Sequence, residues 1–217
     1  MVASPSTSSS VEPAMDSRQV LRSAPATDQR SPGGTMEEGA RGVGAEVTEE
    51  QPYDVLEVHP EFELRRYPDH LVAETEVGGP FELAGNVAFP RLARYIGGRN
   101  RASRKVAMTA PVVQVQDPRS RRYVVGFVMP AGLGVEDVPD PLDSDVHIRR
   151  VQAETAAALR FSGRWSRGSF EKRCAQLLAA VEKAGLEPVG TPRYARFDPP
   201  WTPWFLRRNE VVVPVAA

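Results

Sequence analysis

FELRRYPDHLVAETEV, residues 62–77, is the stretch that decides the fold. Apolar and polar residues alternate across 62–67 and again across 71–77, the period of two expected of half-buried strands, with Pro68-Asp69-His70 as the turn between them. Moved along the chain by 84 positions, the stretch lies on a weaker copy of itself: Leu64 on Ile148, Arg65 on Arg149, Arg66 on Arg150, Ala73 on Ala157 and Val77 on Phe161. A helix is predicted after each copy. After the first, Phe81, Ala84, Ala88, Leu92 and Ile96 recur at helical spacing before a Gly97-Gly98 stop, and Pro90 inside the run predicts a kink or the true first turn. After the second, Phe170, Cys174, Leu177, Leu178 and Val181 do the same and end at Gly185.

Further strands flank these units. Residues 53–58 precede the first pair; 105–116 and 122–129 follow the first helix, with Pro111 favouring an edge or a bulge; 192–197 and 210–215 follow the second helix. Two tandem strand-strand-helix-strand-strand (ββαββ-like) modules predict an α+β fold, a distorted antiparallel β-barrel with pseudo-two-fold symmetry and two flanking helices. A ligand cavity is expected at the seam between modules or between a helix and its sheet.

Composition sets the limits of the domain. All 16 aromatic residues lie beyond residue 50, whereas residues 1–50 hold 21 Ser, Thr, Pro or Gly and a net charge of minus four. Such a segment buries too little apolar area to offset its ordering entropy. Residues 1–50 are therefore predicted to be a disordered tail, either a solvated leader or a partner-docking segment, with Met36 as a candidate later start. Residues 51–217 carry a net charge of plus three and suffice for one domain.

With 41% hydrophobic and 25% charged residues, the chain has the composition of a globular protein. It shows no apolar run long enough to span a membrane and no secretory leader, which predicts a soluble, cytoplasmic protein. A net charge of minus one, without a clustered basic excess, argues against broad nucleic-acid binding. The single cysteine, Cys174, excludes an intrachain disulfide, and no zinc-ligand spacing is present. Nucleophile-elbow, dinucleotide and phosphate-loop motifs are all missing, so no catalytic residue is assigned. Cys174 lies on the apolar stripe of the second helix, where it is expected to be inert filler.

Three segments could serve a ligand. In KVAMTAPV, residues 105–112, Val106, Met108 and Ala110 share one strand face, either as core packing or as a seat for a flat apolar ligand on Met108. In DPPWTPWFLRRNEV, residues 198–211, Trp201, Trp204 and Phe205 crowd a proline-stiffened loop. That loop is either a hydrophobic cap or the rim of an apolar pocket, with Arg207 and Arg208 placed to meet carboxylates, and it also offers a surface for a protein partner. In the hairpin, Arg65 and Arg66 point to opposite faces, so at most one serves a given pocket. His59, His70 and His147 read as solvated turn or strand-end residues.

Taken in order, YDVLEVHPEFELRRYPDHLVAE, AFPRLARYIGG, KVAMTAPV, FVMP, FSGRW and YARFDPPWTPWFLRRNEV resemble the SOUL/HEBP haem-binding protein family over residues 52–215. The resemblance implies two four-stranded antiparallel sheets flanked by two helices, and reversible binding of haem or another tetrapyrrole for buffering, delivery or signalling. It implies no settled enzymatic activity. The histidine that ligates iron in a vertebrate branch is matched here by Arg66, which cannot. Members without that histidine imply Leu92, Tyr95, Ile96 and Met108 as macrocycle contacts and Lys105 or Arg207 for the propionates. If iron is ligated, His70 is the first candidate and Tyr67 a weaker one, since a phenolate needs its pKa lowered. The alternative on the same fold is a module that senses another small ligand or binds a protein.

Overall fold

A computed structural model describes residues 48–216 of the chain. Its strands are β1 (Glu49–Glu50), β2 (Asp54–Val58), β3 (Glu63–Tyr67), β4 (His70–Val77), β5 (Thr109–Ala110), β6 (Val112–Gln116), β7 (Tyr123–Val128), β8 (His147–Val151), β9 (Glu154–Phe161), β10 (Arg193–Arg196) and β11 (Asn209–Pro214). The helices are α1 (Phe81–Ile96) and α2 (Arg167–Lys183). The tail expected over residues 1–50 lies outside the described residues as far as residue 47. Glu49 and Glu50, assigned to it on composition, instead form β1, which pairs in parallel with β5. Strand pairing thus reaches back before the first aromatic residue, because backbone pairing with Thr109–Ala110 needs no apolar side chain.

The α+β fold is built on one large curled antiparallel sheet of nine strands in the order β2-β3-β9-β11-β10-β6-β7-β4-β8, beside the two-stranded β1-β5 sheet. The duplication is visible in this order. Exchanging β3 with β8, β4 with β9, β6 with β10 and β7 with β11 reverses the eight-strand run and leaves every neighbour relationship intact. Registers obey the same symmetry: a shift of 84 positions lays β3 and β4 on β8 and β9 and converts the pair His70–Val151 into the pair Glu154–Tyr67. The two four-stranded halves, β3-β9-β11-β10 and β6-β7-β4-β8, are joined edge to edge because β6 pairs with β10. Each half also contains one strand from the other module, since β3 pairs with β9 and β4 with β8.

Both helices cover the same sheet face. Alternate residues Leu71, Ala73 and Val77 of β4, Val125 and Phe127 of β7, Leu159 and Phe161 of β9, and Val211 and Val213 of β11 meet Ala88 and Leu92 of α1 and Leu177 and Val181 of α2 in one core. Near the two helix starts, Phe81 stacks on Phe170 at 5.5 Å and tilts against Tyr194 at 5.5 Å. Glu82 in the first turn of α1 accepts from the backbone N–H of Arg167 at the start of α2, at 2.9 Å. This contact holds the Glu82 carboxyl below its ordinary pKa.

The two helices end alike. Gly98 and Gly185, at φ +108° and +75°, occupy the left-handed position after each cap, and their N–H groups donate to Tyr95 and Glu182. The next N–H groups, of Arg99 and Leu186, reach back to Arg94 and Val181, completing a Schellman motif at both ends.

Proline is accommodated inside the first helix but divides one expected strand. The helix neither starts at Pro90 nor breaks there: α1 runs from Phe81 to Ile96 with Pro90 inside, held by the apolar stripe on its core face. Having no N–H, Pro90 leaves the carbonyl of Asn86 without a helical donor. The single strand expected over 105–116 is divided at Pro111, whose preceding peptide is cis, into β5 and β6. β6 is not an edge strand but lies at the centre of the sheet.

Candidate functional site

Between the middle of α1 and the ends of β6 and β10 lies a cleft of about 430 Å³, within the size range of small-ligand sites. Phe89 and Pro90 on α1, Met108 before β5, Trp165 before α2, and Phe197 and Trp201 after β10 form its largely apolar walls. Each wall has a local cause. Phe89 flanks the core stripe of α1 and leans edge-on against Phe127 at 5.4 Å, while Pro90 lies a further ~100° round the helix. Met108, half-buried, packs on the core from the segment that Pro111 cuts off from β6. Trp165 is held from both sides: its Nε1–H donates to Asn209 Oδ1 at 2.8 Å, and the Arg207 guanidinium lies over its ring at 4.2 Å.

The loop between β10 and β11 is stiff for readable reasons. The N–H groups of Thr202 and Leu206 donate to the Pro199 and Pro203 carbonyls, forming two consecutive turns. Arg207 ties them together, donating to the Thr202 carbonyl at 2.7 Å and the Pro200 carbonyl at 2.5 Å. Asp198 accepts from the Arg208 N–H at 2.5 Å and closes the loop base. The result presents Trp201, 82% exposed, at the cleft rim.

The floor carries a charge. Arg196 is 6% exposed, donates from Nη2 to Gln114 Oε1 at 2.6 Å, and has no hydrogen-bond partner at Nε among the described residues. Its guanidinium lies 5.1 Å from the ring centres of Trp165 and Tyr194 and presses so closely on α1 that a Cβ at Gly85 would overlap Nη1. Burial lowers its pKa, opposed by Tyr194 and Glu82, and leaves an arginine still charged at neutral pH.

The structure gathers some of the expected site residues and disperses others. Met108 and Trp201 line the cleft; Arg207 and Trp204 line the adjoining depression beyond Trp165. Phe205 is exposed farther along the loop. Leu92 and Ile96 do not line the cleft: they are core residues of α1, because the cleft takes the helix face carrying Gly85, Asn86, Phe89 and Pro90. Tyr95 faces a separate polar depression with Arg91, Arg94 and Arg99, donates from its hydroxyl to the Pro139 carbonyl at 2.8 Å, and is pushed up to about 12 by burial. Lys105 is exposed and outside the cleft lining.

His70 alternates with Leu71 and so faces away from the helices and the cleft. Both of its nitrogens are engaged, Nδ1 with the Pro68 carbonyl at 2.9 Å and Nε2 with the Gln51 amide at 3.1 Å. Tyr67 is buried on that same helix-free face, its pKa raised by burial, and Arg66 is exposed. Cys174 packs half-buried against the core with its thiol pKa raised by burial, the opposite of what a nucleophile needs.

Trp165, Arg196, Phe89 and Asn209 were not singled out as site residues from sequence. For Arg196 a signal existed: in RYAR its alternation with Ala195 places it on the face of Tyr194, a charge on an inward position.

Among known proteins, Heme-binding protein 1 of Xenopus tropicalis is 30% identical over 156 residues, covering 69% of this chain and 81% of that protein. Heme-binding protein 1 of Sus scrofa is 29% identical over 139 residues, 61% of this chain and 71% of that protein. In fold, the chain is similar to the C-terminal domain of EcmrR, with a TM-score of 0.56 and 16% identity over 76% of this chain and 98% of that one. The sequence model of the SOUL heme-binding protein family matches residues 48–214, all but the last two described residues, and the chain belongs to that family.

Proposed function

We propose that this chain binds haem or a related tetrapyrrole reversibly in the cleft between α1 and the Pro199–Trp201 turn, as a cytoplasmic buffer, carrier or signalling protein. One observation carries the reading: a cleft of about 430 Å³ walled by Phe89, Pro90, Met108, Trp165 and Trp201 offers flat apolar surface for a macrocycle. Burial of apolar area at roughly 25 cal/mol per Å² supplies the affinity. Family membership and the names of the Heme-binding protein 1 relatives support the ligand class.

The residues present fit a macrocycle and its acid groups. Among the described residues no imidazole lines the cleft, and the Met108 thioether is the only sulfur donor that does. Haem, when bound, supplies an iron whose coordination is read in the Soret band. The protein's own share is burial of the ring between α1 and the loop, orientation by Trp165, and partial exclusion of water. No helix of the described residues is long and apolar enough to cross a membrane.

Titration of the full chain with hemin tests this. Saturation near one equivalent with a shifted Soret band is expected. Met108→Glu, which sets a carboxylate against the ring face, is expected to weaken binding by at least about tenfold, some 1.4 kcal/mol, with melting close to the parent. Unchanged affinity in that variant removes the ligand from this cleft. The exposed Trp201, Phe205 and Leu206 favour a second reading, in which the loop docks a protein partner; an absence of saturable hemin binding would leave that reading alone.

A further inference from the structure

Among the described residues two guanidiniums are deeply buried, on opposite sheet faces, and they are treated differently. Arg65, 3% exposed, is neutralised: its Nη1 meets Glu210 Oε2 at 2.7 Å and its Nη2 meets Glu63 Oε2 at 2.8 Å. Arg196, 6% exposed, has no ion-pair partner among the described residues. The nearby Glu82 is exposed and committed to the start of α2. Gln114 takes one Nη2 proton, Nε takes part in no hydrogen bond, and aromatic rings on three sides supply the rest of the charge's surroundings. An uncompensated buried charge is costly, and such a group is retained where something else completes it.

The cleft is where such a group can reach it. Arg196 lines the cleft and is buried, whereas Trp201 on the same cleft is exposed, so a ligand held between the apolar walls can reach the guanidinium. We propose that Arg196 is the carboxylate anchor of the cleft, and that its ligand is an amphipathic acid seated acid-end first, with the apolar body between Phe89, Met108 and Trp165. This assignment rests on the reading of the cleft as the tetrapyrrole site and deepens it: a propionate, rather than the iron, is the group held at the floor. It also relieves Lys105 and Arg207 of that role, since Lys105 lies outside the cleft and Arg207 is spent on loop carbonyls. A fatty acid shares the chemistry of a flexible apolar body ending in a carboxylate, and the test separates the two sources.

Binding to the full chain is followed by quenching of tryptophan fluorescence, with protoporphyrin IX, its dimethyl ester and dodecanoate as probes. The parent is expected to prefer the free acid over the ester by about ten- to a hundredfold, the size of a hydrogen-bonded charge contact. Arg196→Met is expected to abolish the preference, and Arg196→Lys to retain part of it. Equal binding of acid and ester by the parent, or an undiminished preference in folded Arg196→Met, overturns the anchor while leaving porphyrin binding in place. Binding of dodecanoate that depends on Arg196, without porphyrin binding, keeps the anchor and overturns the tetrapyrrole reading. Failure of all three probes overturns both. The acid-to-ester comparison on the parent decides the matter even if Arg196→Met does not fold.

Discussion

His70 shows how one residue's surroundings decide its use. With Gln51 donating to Nε2, the ring is a neutral tautomer whose Nδ1–H donates to Pro68. Burial holds its pKa below the ordinary value; Arg193 and Arg149 push the same way, and the hydrogen bond to Pro68 and the Glu154 charge oppose them. Above about 6.5 folded and unfolded imidazoles are both neutral, and pH has no effect through this group. Below that, the unfolded chain takes up a proton that the folded chain resists, so stability falls as pH drops from 7 toward the folded value. Urea denaturation at pH 7 and 5.5 is expected to show a smaller loss for His70→Gln than for the parent, with hemin spectra of the two indistinguishable. An equal loss in both would place the pH sensitivity elsewhere, and an altered Soret band would restore His70 as a ligand. The same scale explains the RRNEV run, where adjacent residues do four separate tasks. Arg207 covers Trp165, Arg208 lies 3.7 Å over Phe197 and pairs with Glu210, Asn209 orients Trp165, and Glu210 receives Arg65.

At the scale of elements, the paired glycine caps set the lengths of both helices. Gly185 has open space around a would-be Cβ, so only its left-handed backbone resists substitution. Gly168, in the first turn of α2, also has open space but no such backbone constraint. Gly185→Ala is therefore expected to cost about 1 kcal/mol and Gly168→Ala to add up to about 1 kcal/mol, read from urea midpoints. Equal signs for the two would mean that the Schellman geometry is not what ends α2. The helix stripes and stops were legible in sequence because periodicity and glycine act locally. The division of 105–116 was less so: Pro111 signalled an interruption, but the partner that recruits Thr109–Ala110 into a separate sheet is β1, from a segment whose composition carries no strand signal.

For the whole molecule, the exchange of strands between modules means that neither is a folding unit. β4 lies between β7 of its own module and β8 of the other, and β9 lies between β11 and β3. Residues 48–135 produced alone are expected to lack a cooperative melting transition, and mixing with residues 136–217 is expected to restore one. The intact domain should melt as one unit, by circular dichroism and calorimetry alike. An independently folded first half would contradict the exchange. The cleft also belongs to this scale: α1 and Met108 come from the first module, and Arg196, Trp165 and the Trp201 turn from the second.

The sequence by itself determined the duplication, both helices and most strands, because alternation, helical spacing and glycine stops are local properties of the chain. It also carried the family, through motifs that prove to be the cleft's supports. Only the tertiary structure decided which face of α1 meets the cleft, that the two halves fuse through β6 and β10, that His70 faces the other side, and that Arg196 is buried beside the cleft with no ion-pair partner among the described residues. Those outcomes depend on which distant side chains share a volume. A helix with apolar residues on more than one face, or a strand charge with no nearby sequence partner, acquires its surroundings only when the second module closes over the first.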